Sequence, residues 1–397
     1  MSVTQRLGLF YAAIFVGGGV SGPYIGLWFK AHGLDGAQIG FILAAPALAR
    51  VVTGPAIAVW ADGFRLRRTP IIIMGAVMAA LYGLFEFTWG FWAWWWLWLA
   101  SQSLFANFSP LADVIALRRA RTDGFNYGWP RGMGSAAYIA ANVGMGLLLT
   151  RMRTDVVLWW MAASAVGVAL GGVLLPPDPV HEVGERMAGR LRWQGLGGLV
   201  TDPVFMLAVV SVGLIQASHA FYYGFSTLVW RAQGLSPSYT GLLWGLAVTA
   251  ELIFLWFMEP MRRALGAKRL VMLGGLGGLV RWTCLALSPP LWLLVPIQIL
   301  HALTFTATFM GSLQLVERLS TPQNATAAQT LNSVLSGGIF MGLASMASGA
   351  LFDAAGPYGY FAMSACAALG LIGAALLPDG AHGDGSLLEV VRLGHPR

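Results

Sequence analysis

The sequence predicts an all-α membrane protein of twelve transmembrane helices, arranged as two pseudo-symmetric six-helix halves. Hydrophobic residues make up 57% of its 397 residues and charged residues only 10%. In an average soluble domain, about a quarter of the residues are charged. The apolar runs are long and continuous rather than alternating. This favours helices over a closed barrel, the only other structure that satisfies every backbone polar group in lipid.

Twelve apolar segments are long enough to cross a hydrocarbon core, which takes roughly 20 residues. The first follows a basic residue, Arg6, and continues through Pro23 without a small-residue cleavage site. We therefore predict a retained span and not a signal peptide. The predicted spans are 7–30, 37–60, 70–88, 91–116, 130–150, 156–176, 203–230, 239–258, 270–287, 290–315, 326–351 and 357–377.

Basic residues are distributed unevenly among the segments that connect the spans. With both termini placed inside, the cytoplasmic segments hold 17 of the 24 lysines and arginines, and the outside segments hold four. The positive-inside rule therefore predicts cytoplasmic N- and C-termini in a cell (inner) membrane. The net charge of +7 then faces anionic lipid, so it does not require a nucleic-acid partner. The four outside residues are Lys30, Arg151, Arg153 and Arg231.

The two halves of the chain repeat each other. The segment "WFKAHGLDGAQIG" (28–40) aligns with "VWRAQGLSPSYTG" (229–241) at a constant offset of 201, so that Gly33 falls on Gly234. The longest polar segment separates six spans from six. The predicted organisation is a six-helix half over 1–177, a cytoplasmic linker over 178–202, a second six-helix half over 203–378 and a cytoplasmic tail over 379–397.

Duplicated six-helix halves joined by a central cytoplasmic loop resemble the transporters of the major facilitator superfamily. In such transporters the substrate site lies between the halves near the midplane. The segment "ADGFRLRRTP" also resembles the superfamily's signature between the second and third spans, with Arg65 where a glycine is usual. The resemblance implies the major facilitator fold and a gating role for Asp62, Arg67 and Arg68. A loop that is basic only because it is cytoplasmic is the alternative interpretation.

Five ionisable residues lie inside the predicted spans or at their inner edges: Asp113, Arg131, Glu251, Arg281 and His301. Insertion scales assign about 2.5–3.5 kcal/mol to each Asp, Lys or Arg at a helix centre. Four such groups would therefore cost on the order of 10 kcal/mol unless they are paired, hydrated or neutralised. Pairing for structure alone is one explanation. Their spread over five helices at comparable depth favours a polar cavity.

Four spans carry polar side chains three or four residues apart, which places them on one helical face. Interhelical hydrogen bonds would explain any single stripe, but four stripes together favour a cavity. Trp244 lies seven residues before Glu251 and on the same face, where both ring stacking and core packing fit. The stripes are Ser103, Asn107, Pro110 and Asp113; Gln216, His219, Tyr223 and Ser226; Gln298, His301, Thr304 and Thr308; and Gln329, Asn332 and Ser336.

Several motifs, "QASHAFYYGF", "LLWGLAVTAE", "GGLVRW" and "QILHALTF", resemble the phenylpropionate permease family and, more distantly, the lactose permease type of proton symporter. The resemblance covers nearly the whole chain, with looser matches in "FSPLADVIA" and "NYGWPRGMGS". It implies that Asp113 and Arg131 bind substrate and that Glu251 couples substrate to proton. It also implies that Arg281 and His301 belong to the cluster that handles the proton.

One position departs from the lactose permease type, which has a glutamate as proton carrier where this chain has Thr304. A threonine cannot carry the proton, so Glu251 becomes the candidate proton site, with His301 as its partner or relay. Burial favours the protonated form of a carboxyl group, and histidine exchanges protons in the physiological range.

The sequence thus predicts a secondary active transporter that imports a small organic solute with protons; the family resemblance implies an aromatic carboxylate such as phenylpropionate. A proton-driven exporter of drugs or amphipathic compounds, and a symporter of a nucleoside or sugar, are the alternatives. No motif for an enzyme, cofactor or metal is evident. A monomer in contact with membrane lipid is expected. The predicted substrate-binding residues are Asp113, Arg131, Asn107, Gln216, His219, Tyr223, Trp244, Gln298 and Asn332.

Overall fold

The structure is a computed structural model that describes residues 1–179 and 195–378. These residues form long helices joined by short loops, and twelve helical segments occupy the positions of the predicted spans. The predicted all-α fold of twelve spans is confirmed. Eight segments are long and apolar enough to cross a membrane by length and composition alone, the last of which, 325–375, contains the final two spans. Most of the predicted linker and the tail lie outside the described residues.

The first six spans are single helices. Asp35 at the start of the second accepts a hydrogen bond from the Gln38 backbone, and a capping box of this kind fixes where the helix begins. The helices are Val3–Ala31, Gly36–Asp62, Arg68–Phe85, Phe91–Asp123, Gly128–Leu148 and Val156–Leu174.

A short helix, Leu196–Thr201, lies at the end of the predicted linker, and the second half then repeats the six spans. Three of its spans are interrupted, and the helix of the ninth is kinked at Gly266, whereas the sequence predicts each span as one continuous segment. The spans are Pro203–Ala217 with Ala220–Ala232 (seventh); Pro237–Phe257 (eighth); Glu259–Ala286 (ninth); Leu291–Ile299, the π-helix Ala302–Ala307 and Thr308–Arg318 (tenth); Ala325–Ser333, the π-helix Val334–Phe340 and Met341–Ala355 (eleventh); and Tyr360–Ala375 (twelfth).

The break in the seventh span has a local cause. The Ser218 hydroxyl donates to the Ile215 carbonyl at 2.6 Å, and His219 Nδ1 lies 3.0 Å from the Gln216 carbonyl. Polar side chains that bond nearby carbonyls in this way compete with the regular helical hydrogen bonds. The regular α-helical pattern is therefore interrupted at a serine–histidine pair inside an otherwise apolar segment.

The loops alternate between two ends of the bundle. We call the end that carries Ser2 and the loops after even-numbered spans the terminal face, and the other end the opposite face. Gly33 and Gly234, which begin equivalent loops at the opposite face, have φ angles of +90° and +83°. This conformation is costly for residues with a Cβ, so the same backbone turn recurs at the offset of 201 residues.

A second repeated contact lies at the terminal face. The Arg67 side chain pairs with Asp178 just after the sixth span at 3.3 Å, and its backbone N–H donates to the Asp178 carbonyl. At the equivalent position of the second half, Lys268 Nζ donates to the Leu377 carbonyl just after the twelfth span. In each half, a basic residue near the start of the third helix thus fastens it to the end of the sixth.

The two halves meet along the second and eleventh spans, the fifth and eighth, and the first and seventh. At the opposite face, the backbone N–H groups of Gly36 and Ala37 donate to the Asp353 carboxylate at 2.8 and 2.7 Å. A Cβ on Gly40 would lie 2.7 Å from the Ser345 carbonyl, and a Cβ on Gly349 would overlap the Gly36 carbonyl. We call this close backbone contact the Gly36–Asp353 seam.

The outside of the bundle is apolar. Large hydrophobic side chains such as Trp92, Val166 and Leu369 are 64%, 48% and 58% exposed. Soluble monomers rarely expose apolar surface on this scale. The exposed side chains therefore face the hydrocarbon of a membrane.

Candidate functional site

A cavity of about 890 Å³ lies between the two halves, within the size range of small-molecule sites. The first, fourth and fifth spans form one wall, and the seventh, eighth and tenth form the other. Tyr127, Gly128 and Trp256 line its end near the terminal face, where Trp256 is 64% exposed. Because the Gly36–Asp353 seam joins the halves at the opposite face, the cavity opens toward the terminal face.

Arg131 is the cationic group on the wall from the first half. Its guanidinium lies over the ring of Phe15, 4.4 Å from the centroid, and 5.7 Å from that of Tyr11. Cation–π contacts of this kind hold a guanidinium without neutralising its charge. Among the described residues no carboxylate lies within ion-pair distance of Arg131. Within the described part of the chain, the first-half wall of the cavity therefore presents a guanidinium without an ion-pair partner beside an aromatic ring.

Asp113 lies behind this wall. Its Oδ1 accepts hydrogen bonds from the hydroxyls of Tyr11 and Tyr127, the second at 2.8 Å. Tyr127 in turn lines the cavity, and Asp113 does not. The structure thus connects Asp113 to the cavity through a tyrosine hydroxyl, and it shows no direct ion pair between Asp113 and Arg131.

The wall from the second half carries Glu251 and His301. Glu251 Oε1 lies 2.9 Å from His301 Nε2, and the two side chains are 16% and 3% exposed. Both residues line the cavity. A proton can therefore reach Glu251 from the cavity, whereas His301 is almost wholly enclosed.

Arg281 lies behind the histidine and is fully buried. Its Nη1 lies 2.6 Å from His301 Nδ1 and 3.3 Å from Thr304 Oγ1, and its Nη2 donates to Gln298 Oε1 at 2.9 Å. The guanidinium also lies 4.4 Å from the ring centroid of Tyr222. A buried charge is costly unless it is paired and hydrogen-bonded. Here, three acceptors and aromatic faces surround the cation, and His301 separates it from Glu251.

His219 joins the same network from the break in the seventh span. Its Nε2 lies 3.0 Å from Thr304 Oγ1, and its ring stacks on Tyr223 with centroids 5.6 Å apart. His219 is fully buried and does not line the cavity. The hydroxyl at position 304 therefore links His219 to Arg281.

Trp244 supplies an aromatic surface to the cavity. Its ring lies 4.4 Å from that of Tyr222 and 6.0 Å from that of Tyr223, with which it is nearly parallel. Its indole N–H has no hydrogen-bond partner among the described residues. Buried indole N–H groups usually find a partner, so among the described residues this donor is left unsatisfied in this conformation.

The predicted substrate-binding residues divide into two groups. Arg131, Tyr223 and Trp244 line the cavity. The others do not, because their side chains satisfy one another or the backbone. Asn107 donates to the Ser103 carbonyl, Gln216 to the Phe305 carbonyl, and Asn332 bonds Ser312; Gln298 binds Arg281 and Tyr222, and His219 binds Thr304.

Six residues of the cavity walls were not predicted from the sequence. They are Phe15, Phe105, Tyr127, Ser135, Tyr138 and Phe309. Ser135 and Tyr138 follow Arg131 by four and seven residues, a helical spacing that could have revealed them.

The residues of the predicted gate lie at the terminal face, away from the cavity. Arg68 donates to the carbonyls of Val173 and Leu175, and Arg67 pairs with Asp178. Asp62 is exposed. The two arginines thus bind within the first half in this conformation.

The described residues contain no group of three or more His, Cys, Asp or Glu placed to hold a metal ion. The polar groups of the cavity are therefore a guanidinium, a carboxylate, an imidazole and several hydroxyls. This set can bind an organic anion and exchange a proton.

The model of the MFS_1 like family matches residues 4–363. The "Probable 3-phenylpropionic acid transporter" of Escherichia coli (strain K12) is 31% identical over 79% of this chain and 82% of the relative. The "Maltose permease" of Geobacillus stearothermophilus is 25% identical over 87% and 86%. The crystal structure of the nucleoside transporter NupG superposes with a TM-score of 0.84 at 16% identity, over 95% of this chain and 99% of that one.

Proposed function

The chain belongs to the MFS_1 like family and is an integral, multi-pass transporter of the major facilitator superfamily; from this premise we propose that it imports an aromatic carboxylate together with protons. Transport proceeds by alternating access of one cavity between the halves. The E. coli relative supports the substrate class. The chemistry of the two cavity walls supports it independently.

The observation that carries the proposal is the separation of two functions across the cavity. Arg131 faces the cavity from the first half without an ion-pair partner in the described part of the chain, and Glu251 with His301 faces it from the second half. A substrate carboxylate binds the Arg131 guanidinium, because paired N–H donors match its two oxygens. The ring packs among Phe15 and Trp244, and the proton binds Glu251.

The separate proton site explains how import is driven. Protonation removes the charge that Glu251 otherwise presents beside a bound organic anion, so proton and anion favour each other's binding. Such mutual favouring is the reciprocal coupling that linkage requires. His301 then acts as partner of Glu251, and Asp113 orients Tyr127 at the edge of the binding site.

The proposed setting follows from charge distribution. Seventeen basic residues lie in segments on the side of the termini and four on the other side, which favours an inner membrane with cytoplasmic termini. The cavity then opens to the cytoplasm in this conformation. Asp62, Arg67 and Arg68 act at the cytoplasmic gate, and one chain forms a complete, monomeric pathway.

The test is uptake of radiolabelled 3-phenylpropionic acid into proteoliposomes, with and without an inward proton gradient. A weak acid also enters as its neutral form, so protein-free vesicles supply the baseline. Wild type should accumulate the acid above this baseline. Glu251→Gln should lose accumulation and retain exchange against internal substrate, and Arg131→Gln should lose both.

Uptake equal to that of protein-free vesicles would refute the substrate class. A panel of nucleosides, maltose and amphipathic drugs, scored by ligand-induced thermal stabilisation, would then identify the cargo. Full accumulation by Glu251→Gln would show that Glu251 does not carry the coupled proton. Efflux of internal acid driven by the inward proton gradient would replace import by export.

A further inference from the structure

We propose that His219, acting through the Thr304 hydroxyl, is a positioning residue for proton coupling: it turns the lone pairs of the Thr304 oxygen toward Arg281, and Arg281, so held, keeps His301 in the tautomer that donates to Glu251. This inference rests on the proposed function and adds to it residues in a direction-setting role. His219 and Thr304 have no contact with the cavity, so their role is indirect.

The direction of the hydrogen bonds begins at a backbone carbonyl. His219 Nδ1 lies 3.0 Å from the Gln216 carbonyl, which can only accept, so Nδ1 carries the proton. In a neutral imidazole the other nitrogen then has the lone pair. Thr304 Oγ1 lies 3.0 Å from His219 Nε2, so the single hydroxyl hydrogen of Thr304 points at His219.

Arg281 is the next group in this hydrogen-bond network. With its hydrogen directed at His219, the Thr304 oxygen presents its lone pairs elsewhere, and Arg281 Nη1 lies 3.3 Å away. A guanidinium has donors only, so the two groups match. The hydroxyl also lies 3.3 Å from the His301 carbonyl. If it turned there, the His219 lone pair would lose its donor.

Arg281 also determines the tautomer of His301. Arg281 Nη1 also lies 2.6 Å from His301 Nδ1, so Nδ1 must accept and carries no hydrogen. The ring's proton is therefore on Nε2, 2.9 Å from Glu251 Oε1. An imidazolium would bring an N–H against the guanidinium. In this arrangement both nitrogens of His301 are engaged, so an incoming proton binds the carboxylate of Glu251.

These hydrogen bonds form one continuous network, in which each bond joins a donor to an acceptor without conflict. The network has two ends. One is the carbonyl of Gln216 at the break of the seventh span, and the other is the carboxylate of Glu251 in the cavity wall. The titratable and charged groups packed around the network are Glu251, Arg281, His301, Tyr222 and Tyr223, with Tyr138 on the facing wall and Tyr360 beyond Trp282.

Loss of the Thr304 hydroxyl would free Arg281 Nη1 from one of its two acceptors on that side. The guanidinium could then turn toward Glu251 and hold it as a permanent carboxylate. Thr304→Val keeps the shape of the side chain and removes the hydroxyl, and Thr304→Ser restores it. His219→Phe keeps a ring against Tyr223 and removes the acceptor.

The first readout is nitrogen NMR of histidine-labelled protein in lipid, with the His301 signals assigned by their absence from His301→Asn. It requires no substrate, so it stays informative if phenylpropionate is not transported. Wild type should show a protonated Nε2 and a bare Nδ1 at His301. Thr304→Val should show mixed tautomers, and Thr304→Ser the wild-type pattern. A His301 protonated at Nδ1 in wild type would overturn the proposal.

The second readout is transport across a one-unit proton gradient, which can drive about tenfold accumulation per proton. Thr304→Val and His219→Phe should each lose this accumulation and change its pH profile, while exchange persists. The double variant should be no worse, as expected for residues in one network. Ser211→Ala removes another buried hydroxyl of the seventh span, which bonds the Leu207 carbonyl four residues earlier and not this network, and should keep the wild-type profile. Wild-type profiles in both single variants, or additive losses in the double variant, would overturn the proposal.

Discussion

Replacing Gly349 by alanine should shift the protein away from the conformation described above. A Cβ at this position would overlap the Gly36 carbonyl and lie 2.9 Å from the Gly36 carbonyl carbon and 3.0 Å from the Ala37 Cα. These are backbone atoms at the start of the second span, so no flexible side chain can move aside. The second and eleventh spans must separate at the opposite face to admit the methyl group.

The free-energy cost of Gly349→Ala can be estimated from the known cost of overpacking. Overpacking of a close contact typically costs about 1–3 kcal/mol, and here the cost falls only on the conformation in which the seam is closed. The gain in helix propensity on replacing glycine by alanine is common to both conformations and cancels. The equilibrium should therefore move toward an open seam by roughly fivefold to 150-fold.

Distances between spin labels across the opposite face would measure this shift. Ala31→Cys and Tyr358→Cys place labels on exposed residues of the two halves, after replacement of the free thiols of Cys284 and Cys366. Gly144→Ala is the matched control, since its Cβ would meet nothing within 4 Å. If Gly349→Ala left the distance distribution like that of Gly144→Ala, steric closure of the seam would be refuted.

Two further changes test other contacts. Asp353→Asn removes the charge that accepts from the Gly36 and Ala37 N–H groups. A cap of this type is worth about 0.5–2 kcal/mol, so the same label pair should report a more open seam, and unchanged distances would exclude the cap as a latch. Gly33→Ala and Gly234→Ala should each lower the thermal midpoint, since a left-handed residue costs about 1–2 kcal/mol; a loss in one only would show that the repeated turns are not equivalent.

The architecture was predictable from the sequence because hydropathy and internal repetition are properties of long segments. The offset of 201 residues between Gly33 and Gly234 is visible in the letters, and both residues adopt the same positive φ. The structure also brings Glu251, His301 and Arg281 together. Ionisable groups inside apolar segments are conspicuous, because each is too costly to leave unpaired in lipid.

The hydrogen-bond partner of a polar side chain was not predictable from the sequence. Asn107 and Gln216 lie on polar helical faces, but they bond backbone carbonyls and not the cavity. A helical face spans several neighbours, and spacing does not say which of them offers the better acceptor. The break at Ser218 and the π-helices also escaped notice, since one extra residue per turn hardly changes the hydropathy of a span of 20 or more residues.

The π-helical turn that follows His301 has a geometric consequence. It covers Ala302–Ala307 and holds one more residue per turn than an α-helix, whose residues are about 100° apart. If this turn became regular, the tenth span on one side of it would rotate by about one residue against the other. Rotation of that size would turn Thr304 away from His219 while His301 stayed beside Glu251. A small slippage of one helix, without motion of a whole half, would thus break the hydrogen bond between Thr304 and His219 and leave the Glu251–His301 contact in place.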